Sequence, residues 1–384
     1  MLKAQAAYCD YNAGAPLRPV AFEALARVAR QAGNPSSIHA SGRAMQAVLE
    51  ASREAIAARI GAQAGNLVFT SGATEGLHWV LEAAREGGAR SLVLSAIEHD
   101  ALAEQANLSF AETFTLPVSA GGLVDPLALD AILSASPAPA LVAVMAANNE
   151  TGAIQPLRAI APIVRRHGGF LLVDAAQAPG RIVLDMQAWD ASYVVLSSHK
   201  LGGPPGAGVV ALAPGAPLGQ VRAGGGQERG RRPGTPNVPA IAGFSAALEE
   251  ADDDLSHEAA RLADLRDTFE AALKTAFPDA VVFAASAPRL PNTSLFAIPG
   301  WRAETALIAL DLSGVAASSG AACSSGKVRK SRVLAAMGVP DPLAACAIRI
   351  SLGWATPPTV LEHLTTTVIA EGTKARARAA AKVE

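Results

Sequence analysis

The sequence predicts an α/β protein: a mostly parallel sheet covered by helices on both faces, followed by a smaller α+β unit. Three observations carry this. Apolar runs of strand length end abruptly in polar residues. Amphipathic helical patterns lie between several of them. Beyond about residue 235 the alternation gives way to a long helical stretch. In order, "GRAMQAVLEASREAIAARIG" (42–61) has apolar residues at helical spacing and stops on glycine. "NLVFTSG" (66–72) reads as a strand and turn, and "ATEGLHWVLEAAREGG" as a helix stopped by Gly87 and Gly88. "RSLVLSAIEHD", "ALVAVMAANNETG", "GGFLLVDAAQAPG" and "ASYVVLSSHK" are four further strand-like runs. Continuous apolar strands alternating with helices indicate a sheet buried on both faces, and ligands of such sheets sit beyond the strands' carboxyl ends. The polar residues there are therefore the candidates: Ser71, Thr74, Glu98, His99, Asn148, Asn149, Asp174, Gln177, Ser197, His199 and Lys200. The stretch 237–277 reads as helix broken near Asp252–Asp254. After it come short strands in "NTSLFAIPG", "GVAASSG" and "AIRISLG", and a helix that frays toward the tail.

Bulk properties exclude several classes. At 384 residues, two or three domains are expected. No apolar run approaches the ~18–20 residues of a membrane span, and the N-terminus lacks the apolar core of a secretory signal. A net charge of −2 gives no reason to expect nucleic acid or an anionic membrane as partner. Three cysteines without a C-x-x-C pair fit a reducing, cytoplasmic setting and argue against a disulfide framework or a cysteine-built metal site. Cys9 and Cys346 read as small buried hydrophobes.

Lys200 stands out. The chain has seven lysines, and between Lys3 and Lys274 Lys200 stands alone. A lysine at a strand end in a cleft can form a Schiff base with a carbonyl cofactor, of which pyridoxal phosphate is the common one. That cofactor needs a carboxylate for its ring nitrogen, and Asp174 sits at the end of its own strand. It needs backbone N–H groups and hydroxyls for its phosphate. "TSGATE" supplies a strand–turn–helix junction with Ala73 and Thr74, and Ser197 and His199 flank the lysine. His99 offers a flat partner for the ring. Singly, Asp174 reads equally as a cap or salt-bridge partner, "SGATE" as an ordinary helix cap and His99 as a surface histidine; together they share one set of strand ends. "HKLGGPPGAG" is not a phosphate-binding P-loop, because its lysine precedes the glycines.

Ten motifs, in order along nearly the whole chain, resemble those of a known family: "YCDYNAGAP", "GNPSSIHASGR", "VFTSGATEG", "IEHDA", "NNETGAIQP", "LVDAAQ", "SSHKLGGPPGAG", "GGGQERGRRPGT", "SSGAACSSG" and "IRISLG". The chain resembles the fold type I pyridoxal-phosphate enzymes of the class V aminotransferase group, and among them the cysteine desulfurases of the NifS/IscS type. The resemblance implies a large domain at 16–255 with a seven-stranded sheet, and a small domain from 1–15 and 256–384. It implies that Lys200 carries the cofactor, that Asp174 pairs with the ring nitrogen, and that Gln177 and Asn149 lie near the ring hydroxyl. His99 would stack on the ring and move protons, while Ala73, Thr74, Ser197 and His199 hold the phosphate. Thr235 would reach the phosphate of a second subunit, making a homodimer. Asn34 and Arg349 would hold the substrate carboxylate.

Cys323, in "ASSGAACSSGKVRKS", lies among small residues with Lys327, Arg329 and Lys330 close behind. Ser and Gly at this density read as an exposed, mobile loop, and the positive charge favours a thiolate. The resemblance makes Cys323 the nucleophile that takes sulfur from L-cysteine, leaving alanine and a persulfide for an acceptor such as an iron–sulfur scaffold. Three places depart from the family pattern: Asn12, Gly14 and Ala15 in "YNAGAP", Pro205 where lysine is usual, and Trp354 in "SLGWAT". A selenocysteine lyase or aminotransferase on the same fold, and a non-catalytic scaffold for iron–sulfur assembly factors, are the alternatives.

Overall fold

The computed structural model describes residues 7–217, 223–320 and 330–380. Seven strands form the large sheet, in the order Leu67–Thr70, Gly208–Leu212, Tyr193–Ser197, Phe170–Asp174, Ala140–Ala143, Ser91–Ser95, Thr113–Leu116. Gly208–Leu212 runs antiparallel to both its neighbours; every other pairing is parallel. The mostly parallel, seven-stranded sheet is therefore as expected. The central strands are buried along their whole length, which is why they read as unbroken apolar runs. Alternate residues serve opposite faces. Val194 and Leu196 join a core with Ile56, Leu129 and Phe244, and Tyr193 and Val195 join one with Leu77, Trp79 and Leu81. Each fully buried side chain of this size contributes about 1.5–3 kcal/mol of transfer free energy.

Local signals place the helices. Ala40–Ile60 starts at His39, whose Nδ1 accepts the N–H of Gly42, and stops at Gly61 with φ 73°, a left-handed turn that glycine adopts without strain. Ala73–Glu86 follows directly from the edge strand through Gly72. The long helical stretch divides at the single residue Asp254 into Val238–Asp253 and Leu255–Ala276. Two strands of the large sheet went unread in the sequence. Thr113–Leu116 is a half-exposed edge strand, and Gly208–Leu212 is preceded by a Gly/Pro-rich loop that hides its start.

A second sheet, antiparallel and of four strands, is ordered Ser318–Ser319, Ala347–Ser351, Thr293–Ala297, Val281–Val282. It packs with Leu255–Ala276 and Pro358–Ala380 in a core of its own that includes Phe269, Phe296 and Ile350. Ala7–Tyr8 pairs with Val315–Ala316, so the chain's start lies against this unit. The extended segment after it crosses to the large sheet.

One buried ion pair braces the loop leading to Thr235. Arg53 donates to both carboxylate oxygens of Glu228, at 2.9 and 2.7 Å, and Glu228 also accepts the N–H of Phe69 at 2.9 Å. Both side chains are almost wholly buried. Glu228 and Arg229 hold positive φ, so the pair fixes a turn that the backbone does not favour. Glu228→Ala is expected to lower stability by about 3–5 kcal/mol by removing the bidentate partner of a buried guanidinium and leaving it only the more exposed Glu50 at 3.3 Å, whereas the double change Arg53→Met/Glu228→Leu costs much less. Urea-denaturation midpoints of the two variants check this.

Candidate active site

The carboxyl ends of Phe170–Asp174 and Tyr193–Ser197, the start of Ala73–Glu86 and the segment around Asn12 enclose a cavity of about 630 Å³. Ala73, Thr74, His99, Asn149, Asp174, Gln177, Ser197, His199, Lys200 and Arg349 all line it. The structure thus brings together ten of the expected site residues. Asn34 is not among the lining residues; it is exposed, and its Oδ1 accepts the N–H of Ser36 in a local turn. Thr235 is exposed and outside the cavity as well. Cys323 lies outside the described residues.

Lys200 closes a short 3₁₀ turn directly after its strand. Its Nζ donates to the backbone carbonyls of Asn12 at 2.7 Å and Ala13 at 2.9 Å. Loss of water pushes its amine down to about 8, with Arg349 and Arg181 adding to the fall and Asp174 and Asp10 opposing it. Asp174 is buried and receives the N–H of Ala176 at 2.9 Å. Desolvation raises its carboxyl above the ordinary value, and among the described residues no cation lies within ion-pair distance of it. A protonated ring nitrogen is the partner such a carboxylate lacks.

Opposite stands an anion site. Gly72 precedes the fourteen-residue helix Ala73–Glu86 with no side chain capping its first turn, so the N–H groups there face the cavity end of the helix dipole. The sheet makes room for this close approach. A Cβ on Gly208 would fall 2.7 Å from the Gly72 Cα. Ser197 Oγ and His199 Nδ1 lie 2.9 Å apart. Burial and the neighbouring Lys200 push His199 down to about 4, so its ring is neutral at physiological pH. His99 Nδ1 accepts the N–H of Ala101 at 3.1 Å, which places the proton of the neutral ring on Nε2.

Arg349 comes from the small sheet. Its Nη2 meets Asp10 Oδ1 at 2.6 Å, its Nη1 donates to the Asn149 carbonyl at 3.0 Å, and its Nε is buried without a partner. Spare donors on a planar fork suit a carboxylate. The set as a whole suits a small phosphorylated ring with an aldehyde, together with an amino acid.

Several further residues hold these in place; of them, sequence reasoning counted Glu98 among the strand-end candidates without assigning it a role, and passed over Glu150. Asn12, noted only as a departure, bonds Asn149, Thr293 and Asn292 through its side chain, and Gln177 and Lys200 through its carbonyl. Glu98 is fully buried; its Oε1 accepts the N–H of Met145, its Oε2 has no partner, and desolvation keeps it well above the usual carboxylate range. Glu150 accepts from Ser331 Oγ at 2.6 Å, and a Cβ on Gly320 would lie 2.5 Å from Glu150 Oε2. It therefore holds Ser331 and leaves no room for a side chain at Gly320, one on each side of the segment 321–329. Their signal was faint: short polar residues within motifs whose other members drew attention. Trp354 donates to the Pro16 carbonyl at 3.1 Å and stacks under Arg18. Cys9 and Cys346 are buried as expected, and burial pushes the Cys9 thiol up to about 12.

Among the described residues no helix is long and apolar enough to cross a membrane, and no cluster of metal-binding side chains occurs. The chain matches the aminotransferase class-V family over residues 7–364. It is 39% identical over 358 residues to a cysteine desulfurase of Cereibacter sphaeroides, covering 91% of each chain. It is 36% identical to an IscS-like cysteine desulfurase of Mycobacterium tuberculosis, covering 90% of this chain and 91% of that one. A solved NifS-like protein superposes with a TM-score of 0.87 at 31% identity, over 95% of this chain and 98% of that one. A NifS-like protein from Rickettsia africae gives 0.85 at 31% identity, over 95% and 99%. With its sheet order, its lysine-centred cavity and these relatives in agreement, the chain belongs to the class-V aminotransferase family and, within it, to the cysteine desulfurases of the NifS/IscS type.

Proposed function

We propose that the chain removes sulfur from L-cysteine with pyridoxal phosphate as its cofactor, as a sulfurtransferase that yields L-alanine and a persulfide on Cys323. The observation that carries this is the desolvated Lys200 amine facing Asp174, His99 and Arg349 across one cavity. Asp174 fits the ring nitrogen because it is a buried carboxylate with no cation at ion-pair distance among the described residues. The uncapped start of Ala73–Glu86, with Ser197 and His199, fits the phosphate. Gln177 and Asn149, which also line the cavity, would hold the ring hydroxyl. When bound, pyridoxal phosphate supplies an aldehyde for an amine and a ring that accepts the electron pair left at the substrate's α-carbon.

The chain's residues do the rest. Arg349 orients the substrate carboxylate with the N–H groups that Asp10 and Asn149 leave free. Lys200, neutral above about pH 8, takes the proton from the α-carbon and holds it near the carbonyls of Asn12 and Ala13. His99 offers its Nε2 proton within the same cavity. The Cys323 thiolate attacks the substrate sulfur. A sulfur–sulfur bond forms, the bond from the β-carbon to sulfur breaks, and the electron pair goes to the β-carbon, which takes a proton to become the alanine methyl group, while Lys200 returns its proton to the α-carbon. Asn34 belongs to the proposed substrate contacts only if its exposed turn folds inward when the substrate enters. Thr235, exposed on its braced loop, is free to serve the phosphate of a second copy, which makes a homodimer the expected assembly. The setting is cytoplasmic and the sulfur acceptor a protein such as an iron–sulfur scaffold.

Two measurements test this reading. Incubation with L-cysteine and a reductant is expected to release sulfide and alanine in equal amounts. Cys323→Ala abolishes both while the visible absorbance of the bound cofactor persists, and Lys200→Ala lowers turnover by roughly 10²–10⁴-fold. Pyruvate in place of alanine, or turnover unaffected by Cys323→Ala, contradicts the persulfide route. In the second, cofactor capture by the chain is followed by visible absorbance against pH. Only the neutral amine attacks an aldehyde, and Lys200 loses its proton near pH 8. The capture rate is therefore expected to rise about tenfold per unit below pH 8 and to level off above it. A rate still climbing steadily at pH 10 refutes the neutral-amine assignment.

A further inference from the structure

We propose that Arg181 is a positioning residue of this site: its guanidinium locks the Gln177 amide and the Lys200 backbone in place and holds a positive charge behind the Lys200 amine. Arg181 does not line the main cavity. It is buried, and it donates to the Gln177 carbonyl at 3.1 Å, to Gln177 Oε1, to the Tyr11 carbonyl at 3.3 Å and to the Lys200 carbonyl at 3.2 Å. All four acceptors are neutral. The chain's other buried arginines behave differently: Arg18, Arg53 and Arg349 each meet a carboxylate at 2.6–2.7 Å. No carboxylate among the described residues lies within 4.0 Å of Arg181.

Two consequences follow. Arginine has only donors, so Gln177 must turn its Oε1 toward Arg181 and its Nε2 the other way, where it donates to the Asn12 carbonyl at 3.0 Å. The amide therefore presents donors, never its oxygen, toward Asn12 and the cavity. The second consequence is electrostatic. The charged groups facing Lys200 are Arg349 and Arg181, which oppose its proton, and Asp174 and Asp10, which favour it; His199 is neutral. Asp10 is already spent on Arg349 at 2.6 Å. Arg181 is left to offset Asp174. Without it the Lys200 amine would face that carboxylate alone and keep its proton to higher pH. A buried charge without a counterion is costly: burial, with Arg349 beside it, pushes the Arg181 guanidinium down to about 9, so it still carries its charge at the Lys200 midpoint near 8.

The inference rests on the reading of Lys200 as the site's amine, but its test needs no cofactor, so a failed capture experiment and a failed titration are separate results. The full chain is labelled with trace acetic anhydride from pH 6 to 11, and the Lys200 peptide is quantified by mass spectrometry. The unaltered chain is expected to titrate near 8. Arg181→Gln and Arg181→Met are expected to raise that midpoint by ~1 pH unit, with the labelling plateau above it unchanged within about twofold. A midpoint within ~0.3 unit of the unaltered chain, in whichever variant folds, overturns the proposal. So does a midpoint shift accompanied by a large rise in plateau, which reports a site merely opened to water. An ordinary midpoint near 10.5 in the unaltered chain overturns it whether or not the variants fold.

Discussion

The structure turns on one desolvated amine. Lys200 sits just beyond the carboxyl end of a buried strand, and the segment at Asn12 and Ala13 covers it, both carbonyls accepting from its amine. An ammonium in that position is penalised by burial and by two nearby guanidinium groups, and relieved by two carbonyls and two carboxylates. The balance leaves the amine poised between its two protonation states near neutrality. Such poise is what a group that must attack, release and then carry a proton requires. The parallel sheet, the 3₁₀ turn and the covering segment are the means by which the fold sets it.

That balance needs both halves of the chain. Asn12 is where they meet: its side chain is held by Asn292 and Thr293 of the small unit, and its carbonyl by Gln177 and Lys200 of the large one. A shift between the two units would therefore move the Lys200 acceptors directly. Arg349 adds a second tie, since its strand belongs to the small sheet while Asn149, which accepts from it, belongs to the large domain's loops. Glu150 adds a third, reaching Ser331 and closing on Gly320. Each tie is a buried polar contact with few alternatives, so the geometry of the cavity is specified more sharply than apolar packing alone would specify it.

Much of this was legible beforehand, for identifiable reasons. Buried parallel strands write themselves as apolar runs, and a run that ends in His-Lys or Asp-Ala-Ala-Gln marks its own carboxyl end; Lys200, Asp174, Ser197 and His199 were readable on that basis alone. Gly208–Leu212 was not, because its hydrophobic pattern emerges from a glycine- and proline-rich loop. The supporting polar residues were harder still. Arg181 follows a Pro-Gly turn and looks like a surface charge; only the folded chain reveals that Gln177, Tyr11 and Lys200 converge on it. Glu98 and Glu150 carry the same lesson, since burial of a carboxylate is a property of the packing around it. Asn34 is a different case: a residue assigned by resemblance lies in an exposed turn outside the cavity lining.

The departures from the family pattern bear on where positive charge sits. Pro205 lines the cavity in place of a lysine, and His199 is held neutral, so the anion end of the site has no full positive charge of its own among the described lining residues. What remains there is the helix dipole of Ala73–Glu86, its first-turn N–H groups and the hydroxyl of Ser197. The full charges, Lys200 and Arg349, stand instead at the substrate end. An anion held by dipoles and hydrogen bonds is held by geometry, and is less sensitive to salt than one held by an exposed lysine. The same division keeps cations where they act on the amine and on a substrate carboxylate. The proline substitution is therefore compatible with the chemistry so long as the close approach of Gly208 to Gly72 is preserved, because that contact sets where the first turn of the helix points.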